Sequence, residues 1–290
     1  MRMKFGSRDS ELAVIQAELL MDPIRDAYPH VSVELVTMKT TGDKILDRTL
    51  DQIGGKGLFV KELDQALRDG RVQFTIHSLK DVPMETPDDL PLVAFSARED
   101  PRDCLVLPQG VEKLDTAKPI GCASKRRQLQ LKALYPKMEI RPIRGNIQTR
   151  LAKLDAGEYS ALVLAAAGLK RLGLEDRIYK YFTVEEILPA AGQGILAVQA
   201  KRGTDCTCLK IINNMDTAWC ALAERAFVRT LNGGCSSPVA AYAVIEDGLL
   251  TLTGLYVSPD GSVVRKGDII GNPQQAAVLG EVLAQHLKDW

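Results

Sequence analysis

Phe74-Thr75-Ile76-His77-Ser78-Leu79-Lys80-Asp81-Val82-Pro83 passes from an apolar strand signal straight into polar and charged residues. In α/β proteins the carboxyl ends of buried strands are where ligand groups are placed. The Val82-Pro83 pair keeps the chain extended beyond Asp81, so its carboxylate can face a crevice. A surface-turn aspartate explains the same segment and is the commoner case.

The residues on either side follow the same grammar. Upstream, 3–6 reads as a strand, and 10–21 has helical spacing with Leu12, Ile15, Leu19 and Leu20 on one face. Val31, Val33 and Leu35 alternate as in a half-buried strand, while Phe59, Val60, Leu63 and Leu67 recur at helical spacing up to Gly70. Downstream, 92–95 is a strand. The pattern restarts after Pro101, with strands at 104–107, 120–123, 140–143 and 161–165. Helices capped by Ser124, running to about Leu134, and by Asn146, ending near Gly157, lie between them. Another strand, 195–198, follows Gly192-Gln193-Gly194. Alternating strands and helices imply mainly parallel sheets covered by helices, so two α/β units in tandem reach about Ala200. The remainder differs. A helix over 216–231 precedes strands at 239–245, 250–256 and 263–270, with Asp247-Gly248 and Asp260-Gly261 as hairpin turns, and a helix over 276–287. This is an antiparallel α+β module.

Composition narrows the function classes. The 290 residues are 46% apolar and 26% charged, with 37 Lys+Arg against 37 Asp+Glu. A net charge of zero argues against a polybasic nucleic-acid binder, and no apolar run reaches the length of a membrane helix. The first ten residues lack the apolar centre of a signal peptide, so an intracellular protein is expected. Six cysteines in a chain this long do not form a disulfide scaffold. No metal is expected: the three histidines, 30, 77 and 286, stand apart, and Cys206-x-Cys208 lacks paired C-x-x-C spacing.

The balanced total hides a division. From Cys122 to Lys153 nine basic residues accompany one acid, Glu139, whereas 81–103 is rich in acids, Asp103 among them. Such runs are usually solvated faces. However, Arg126, Arg127 and Arg144 lie at strand-to-helix transitions, where cations oppose the helix dipole. That cost favours an anion site here, with carboxylate or phosphate as ligand. Gly54-Gly55-Lys56-Gly57 fits either an anion-binding loop or a mobile one. Gly233-Gly234-Cys235 permits a tight turn presenting a thiol, although cysteines are more often buried fillers.

Taken together and in order, these motifs resemble the porphobilinogen deaminase (hydroxymethylbilane synthase) family. The matching stretches are 6–10 (GSRDS), 54–62 (GGKGLFVKE), 77–83 (HSLKDVP), 98–103 (REDPRD), 144–150 (RGNIQTR), 167–173 (AGLKRLG), 188–194 (LPAAGQG) and 233–238 (GGCSSP). The resemblance implies two lobes like those of periplasmic binding proteins, 1–96 with 194–213 and 97–193. A C-terminal α+β domain with a three-stranded antiparallel sheet, 214–290, would carry the cysteine. It also implies that 195–198 returns to the first sheet. The implied activity is a transferase reaction: head-to-tail condensation of four porphobilinogen molecules with loss of ammonia. Growth would start from a dipyrromethane cofactor joined to Cys235 by a thioether. The implied catalytic carboxylate is Asp81. Cofactor contacts fall on Lys80, Ser124, Arg126, Arg127, Arg144 and Asp43, and substrate contacts on Arg8, Ser10, Arg150, Arg171, Gln193 and Lys56. A cytoplasmic monomer with porphobilinogen as its partner, no nucleic acid and no membrane, completes the expectation. The chain departs from the family pattern at Cys122-Ala123, Lys125 and Ser236-Ser237, and by its short C-terminus. A non-catalytic bilobed anion receptor or a degenerate homologue is the alternative.

Overall fold

Three sheets organise the residues described by the computed structural model, which are 2–44, 57, 59–234 and 237–290. Along the chain come β1 (Arg2–Arg8), α1 (Glu11–Ala27), β2 (Ser32–Met38), α2 (Thr41–Lys44), α3 (Lys61–Arg68), β3 (Phe74–Ser78) and β4 (Leu92–Phe95). Next are β5 (Asp103–Val106), β6 (Ile120–Gly121), α4 (Lys125–Leu134), β7 (Ile140–Arg141), α5 (Ile147–Asp155), β8 (Ala161–Ala165), α6 (Ala166–Arg171) and β9 (Ile178–Tyr181). The chain ends with β10 (Leu196–Ala200), α7 (Met215–Thr230), β11 (Ala240–Glu246), β12 (Leu249–Val257), β13 (Val264–Gly271) and α8 (Ala276–Asp289).

The first two sheets share one plan. The first has order β2-β1-β3-β10-β4 and the second β7-β6-β8-β5-β9. In each, three parallel strands are followed by an antiparallel strand that has just crossed from the other sheet. The strand after Gly194 does return to the first sheet, wedged between β3 and β4. The two crossings pair with each other: Ser96 N donates to Leu196 O (2.9 Å) and Glu99 N to Gly194 O (3.1 Å). A Cβ on Gly194 would lie 2.3 Å from the Glu99 carbonyl oxygen, and its φ is +88°, so both space and conformation demand glycine.

Local chemistry sets the elements. Ser10 is extended and its hydroxyl accepts from Ala13 N, starting α1, with Glu11 suiting the dipole of the first turn. The helix continues past the expected end at 21 to Ala27, with Pro23 inside. Pro23 cannot donate to the Leu19 carbonyl, but Leu19 is on the exposed side, where water can satisfy it. Phe5 stacks on Phe74 (centroids 4.9 Å) and packs with Met21, Ile24 and Val198 beneath α1. In β5, Cys104 and Val106 enter one core while Leu105 enters another. A strand buried on both faces reads as an unbroken apolar run. Helix α6 was not foreseen, because it starts directly after β8 at Ala165, which offers no side-chain cap.

The third sheet, β11-β12-β13, is antiparallel throughout, and α7 and α8 cover one face. Phe227, Val228, Ala241, Leu252 and Leu283 form its core. The two helices touch at Gly280, where a Cβ would sit 2.3 Å from the Ala223 carbonyl oxygen. Gly280→Ala is therefore expected to force α7 and α8 apart and cost about 1–3 kcal/mol. A thermal melt checks this, and an unchanged midpoint would refute the close approach. Among the described residues, no helix is long and apolar enough to cross a membrane.

Candidate active site

Asp81 ends a single 3-10 turn, Leu79–Asp81, that follows β3. The turn is pinned from below: Leu79 is fully buried, and its N–H donates to Ile195 O on the crossing strand (3.0 Å). Asp81 itself is partly exposed and lines a cavity with Arg8, Gln16, Phe59, His77 and Ser78. Ser78 Oγ donates to Gln16 Oε1 (2.9 Å), and the Arg8 guanidinium lies over the Phe59 ring, 4.4 Å from its centroid. His77 is not an acid–base group at neutral pH. Burial, with Arg8 acting in the same direction, pushes it down to about 4. Its Nε2 lies 2.9 Å from Thr75 Oγ1.

Lys80 sits among charges of both signs. Burial pulls its pKa down to about 8, Arg127 and Arg126 add to the shift, and Asp81 and Asp103 oppose it. Arg150 is likewise drawn down to about 10, by burial first and then by Arg127 and Arg144, against Cys122 and Asp81. Asp81, Lys80, Arg126, Arg127, Arg144 and Arg150 thus belong to one electrostatic neighbourhood. Those residues come from both α/β sheets: Lys80 and Asp81 follow β3, Arg126 and Arg127 open α4 after β6, and Arg144 and Arg150 lie before and within α5.

The start of α4 carries a finding that the charge pattern alone missed. Arg126 and Arg127 are buried, and the anion that compensates them is internal. Asp103, fully buried at the start of β5, accepts from Arg127 Nε (3.0 Å) and Nη2 (2.7 Å) on Oδ1, and its Oδ2 is 2.8 Å from Arg126 Nη1. Burial would raise this carboxyl, but the two guanidiniums hold it well below the usual carboxylate range. Arg126 Nη1 also donates to Leu188 O (2.6 Å) and Arg127 Nη1 to Val163 O (3.2 Å). Hence the cost of cations at this helix start is met first by a protein carboxylate. The anion site that the charge pattern favours at Arg126 and Arg127 is thus occupied by Asp103 of the chain itself.

The remaining expected residues are distributed as follows. Ser124 caps α4, accepting from Arg127 N, and Ser10 caps α1 in the same way. Arg150 Nε donates to Gly145 O (2.8 Å), and Arg171 Nη2 donates to Gly194 O at the crossing (2.7 Å). Gln193 is 1% exposed and joins the Asp103 network, donating to Pro101 O (2.7 Å) and Asp103 Oδ1 (2.8 Å). Lys56, Cys235 and the side chain of Asp43 lie outside the described residues. Cys122 is buried, its thiol aimed at the Ser124 carbonyl, while neighbouring Ala123 is exposed.

A second buried pair joins the crossing to the third sheet. Glu224 on α7 is fully buried, and its Oε1 accepts from Arg98 Nη2 (2.6 Å) and Ala243 N (2.8 Å). Its Oε2 accepts from Gly192 N (2.7 Å). The sequence signal was present: a Glu-Arg dipeptide inside an otherwise apolar stretch of helix, 218–228.

The family model for the porphobilinogen deaminase dipyromethane cofactor binding domain matches residues 3–208, and the model for the porphobilinogen deaminase C-terminal domain matches 218–289. Porphobilinogen deaminase of Alkaliphilus oremlandii is 57% identical over 288 residues, covering 99% of this chain and 97% of the relative. The Chromobacterium violaceum porphobilinogen deaminase is 48% identical over 292 residues, covering 99% and 94%. Among solved structures, the BenM effector binding domain with benzoate aligns at 13% identity and a TM-score of 0.43, covering 73% of this chain and 88% of that one. The periplasmic aliphatic sulphonate binding protein SsuA of Escherichia coli aligns at 12% identity and a TM-score of 0.43, covering 80% and 70%. With both family models spanning nearly all of its length in the expected order, the chain belongs to the porphobilinogen deaminase family.

Proposed function

We propose that this chain is a hydroxymethylbilane synthase, condensing four porphobilinogen molecules head to tail and releasing ammonia at each step. The observation that carries the reading is the placement of Asp81, partly exposed on a pinned turn, in the same field as Lys80, Arg126, Arg127 and Arg150. Every pyrrole of the substrate bears an acetate and a propionate, so a basic cleft suits it, and arginine forks match carboxylates in particular.

The donor set also fits a dipyrromethane cofactor. Its carboxylates call for several cations in one place; Lys80, Arg144 and Arg150 would supply them, while Arg126 and Arg127, held by Asp103, shape the wall behind them. Bound through the Cys235 thioether, the cofactor supplies an electron-rich pyrrole carbon as nucleophile. The residues of the chain then do the following. The cations seat and orient carboxylates, and Arg8 reaches the Asp81 cavity from β1. The Asp81 carboxylate accepts the pyrrole N–H and stabilises the positive charge that develops on the incoming ring as ammonia departs. It also takes the proton lost when the new ring becomes aromatic again. Charge is matched locally: one acid serves the cationic centre while the surrounding bases hold the anionic periphery. In this reading 1–96 with 194–213, 97–193 and 214–290 act as three domains of a cytoplasmic monomer.

Intact-mass measurement of the purified protein tests the proposal. A covalent adduct of dipyrromethane size is expected on the wild type and absent from Cys235→Ser. An unmodified wild-type protein from a tetrapyrrole-making host would overturn the synthase reading in favour of a non-catalytic anion receptor.

A further inference from the structure

Glu224 and Arg225 are consecutive on α7, both buried, and they grip different parts of the molecule. Glu224 holds the crossing through Gly192 and Arg98, as described. Arg225, 7% exposed, reaches toward the segment that follows Asp81. Its Nη1 donates to Val82 O (3.3 Å), and its Nη2 donates to Pro83 O (2.5 Å) and Met84 O (3.1 Å). These are three consecutive carbonyls, beginning one residue after Asp81.

The segment needs such a partner. Pro83 has no N–H, and the segment lies between the 3-10 turn and β4, outside any strand. Carbonyls buried away from water must be hydrogen-bonded, and Val82 is 1% exposed. A single planar guanidinium meets several at once, which an ammonium on a flexible stem does less well. Position in the chain matters as well. Arg225 and Cys235 are ten residues apart in the sequence. The same helix therefore anchors the segment after Asp81 and leads into the cysteine segment.

We infer that Arg225 is a positioning residue for turnover: by clamping the Val82–Met84 carbonyls to α7, it fixes the Asp81 carboxylate relative to that helix. This rests on Asp81 being the catalytic carboxylate. The clamp works on alignment rather than on substrate affinity, because Arg225 spends its donors on backbone carbonyls. Misplacing a reacting group by even an ångström lowers the rate without weakening binding in proportion.

The test uses holoprotein carrying Arg225→Met or Arg225→Lys, with turnover expressed per adduct-bearing molecule by intact mass. For Arg225→Met, kcat is expected to fall about ten- to a hundredfold while KM for porphobilinogen changes less than about threefold. Arg225→Lys should recover part of the loss. Hydrogen exchange at the Val82 amide, which donates to Leu79 O (3.1 Å), should quicken in Arg225→Met. Wild-type kcat per adduct in Arg225→Met, or a loss carried by KM alone, would overturn the inference. If Arg225→Met does not fold, Arg225→Lys decides by the same split of kcat from KM. Asp81→Asn, measured in parallel, separates the two claims. Normal turnover there would sink the catalytic assignment, whereas an inactive Asp81→Asn beside a fully active Arg225→Met would sink only the clamp.

Discussion

Asp81→Asn is expected to lower porphobilinogen turnover about a hundred- to a thousandfold while leaving the thermal midpoint close to that of the wild type. The substitution keeps the size and one hydrogen-bonding oxygen but removes the negative charge. A neutral amide can still accept a pyrrole N–H, but it cannot offset a developing cation or take up a proton. The fold should tolerate the change, because Asp81 is partly exposed at the end of its turn, and Leu79 and Ile195 rather than the carboxylate hold that turn in place. Substrate consumption by purified protein, alongside a melting curve, is the measurement. Near-normal turnover would remove Asp81 from the mechanism.

The second large effect concerns stability. Asp103→Ala leaves Arg126 and Arg127 facing each other in a buried site without their shared counter-ion. Breaking a buried ion pair on one side costs about 3–5 kcal/mol, chiefly because the remaining charge is stranded. Asp103→Asn should cost somewhat less, since the amide oxygen can still accept one guanidinium. The pH dependence follows from the direction of the shift. The folded-state pKa of Asp103 lies below its unfolded value, so its stabilisation is complete above the unfolded carboxyl pKa of about 3.9 and is lost as pH falls below that. Urea unfolding at pH 7 and again near pH 3 measures both. A loss below about 1 kcal/mol at pH 7 would show that the network is not needed for stability.

Much of the fold could be read from residue patterns, because the strongest signals were local. Ser124 and Asn146 marked the starts of α4 and α5 through their own side chains, and Asp247-Gly248 marked the β11–β12 hairpin. What could not be read was pairing between distant charges. The basic run at 122–153 and the acidic run at 81–103 were each visible. Yet only tertiary structure shows that Asp103 belongs between Arg126 and Arg127, more than twenty positions away. Glu224 and Arg98 are separated further still, and Arg225 acts on backbone carbonyls, which carry no residue-type signal at all. Gln193 illustrates the same limit: its buried side chain serves the Asp103 network at the crossing.

The exchange of strands between the two α/β sheets also dictates an order of assembly. Strands β5 to β9 lie within residues 103–181, so the second sheet is complete once that stretch exists. The first sheet is not. Leu92–Phe95 has β10 as its neighbour, and β10 is the segment 196–200, about a hundred residues later. During synthesis the amino-terminal sheet must therefore hold β1, β2 and β3 with an open edge while the second sheet closes. Domains usually fold in the order in which they emerge from the ribosome. In this chain the first half to be made is the second to be finished, and the strand that completes it also brings the turn of Asp81 to rest on Ile195.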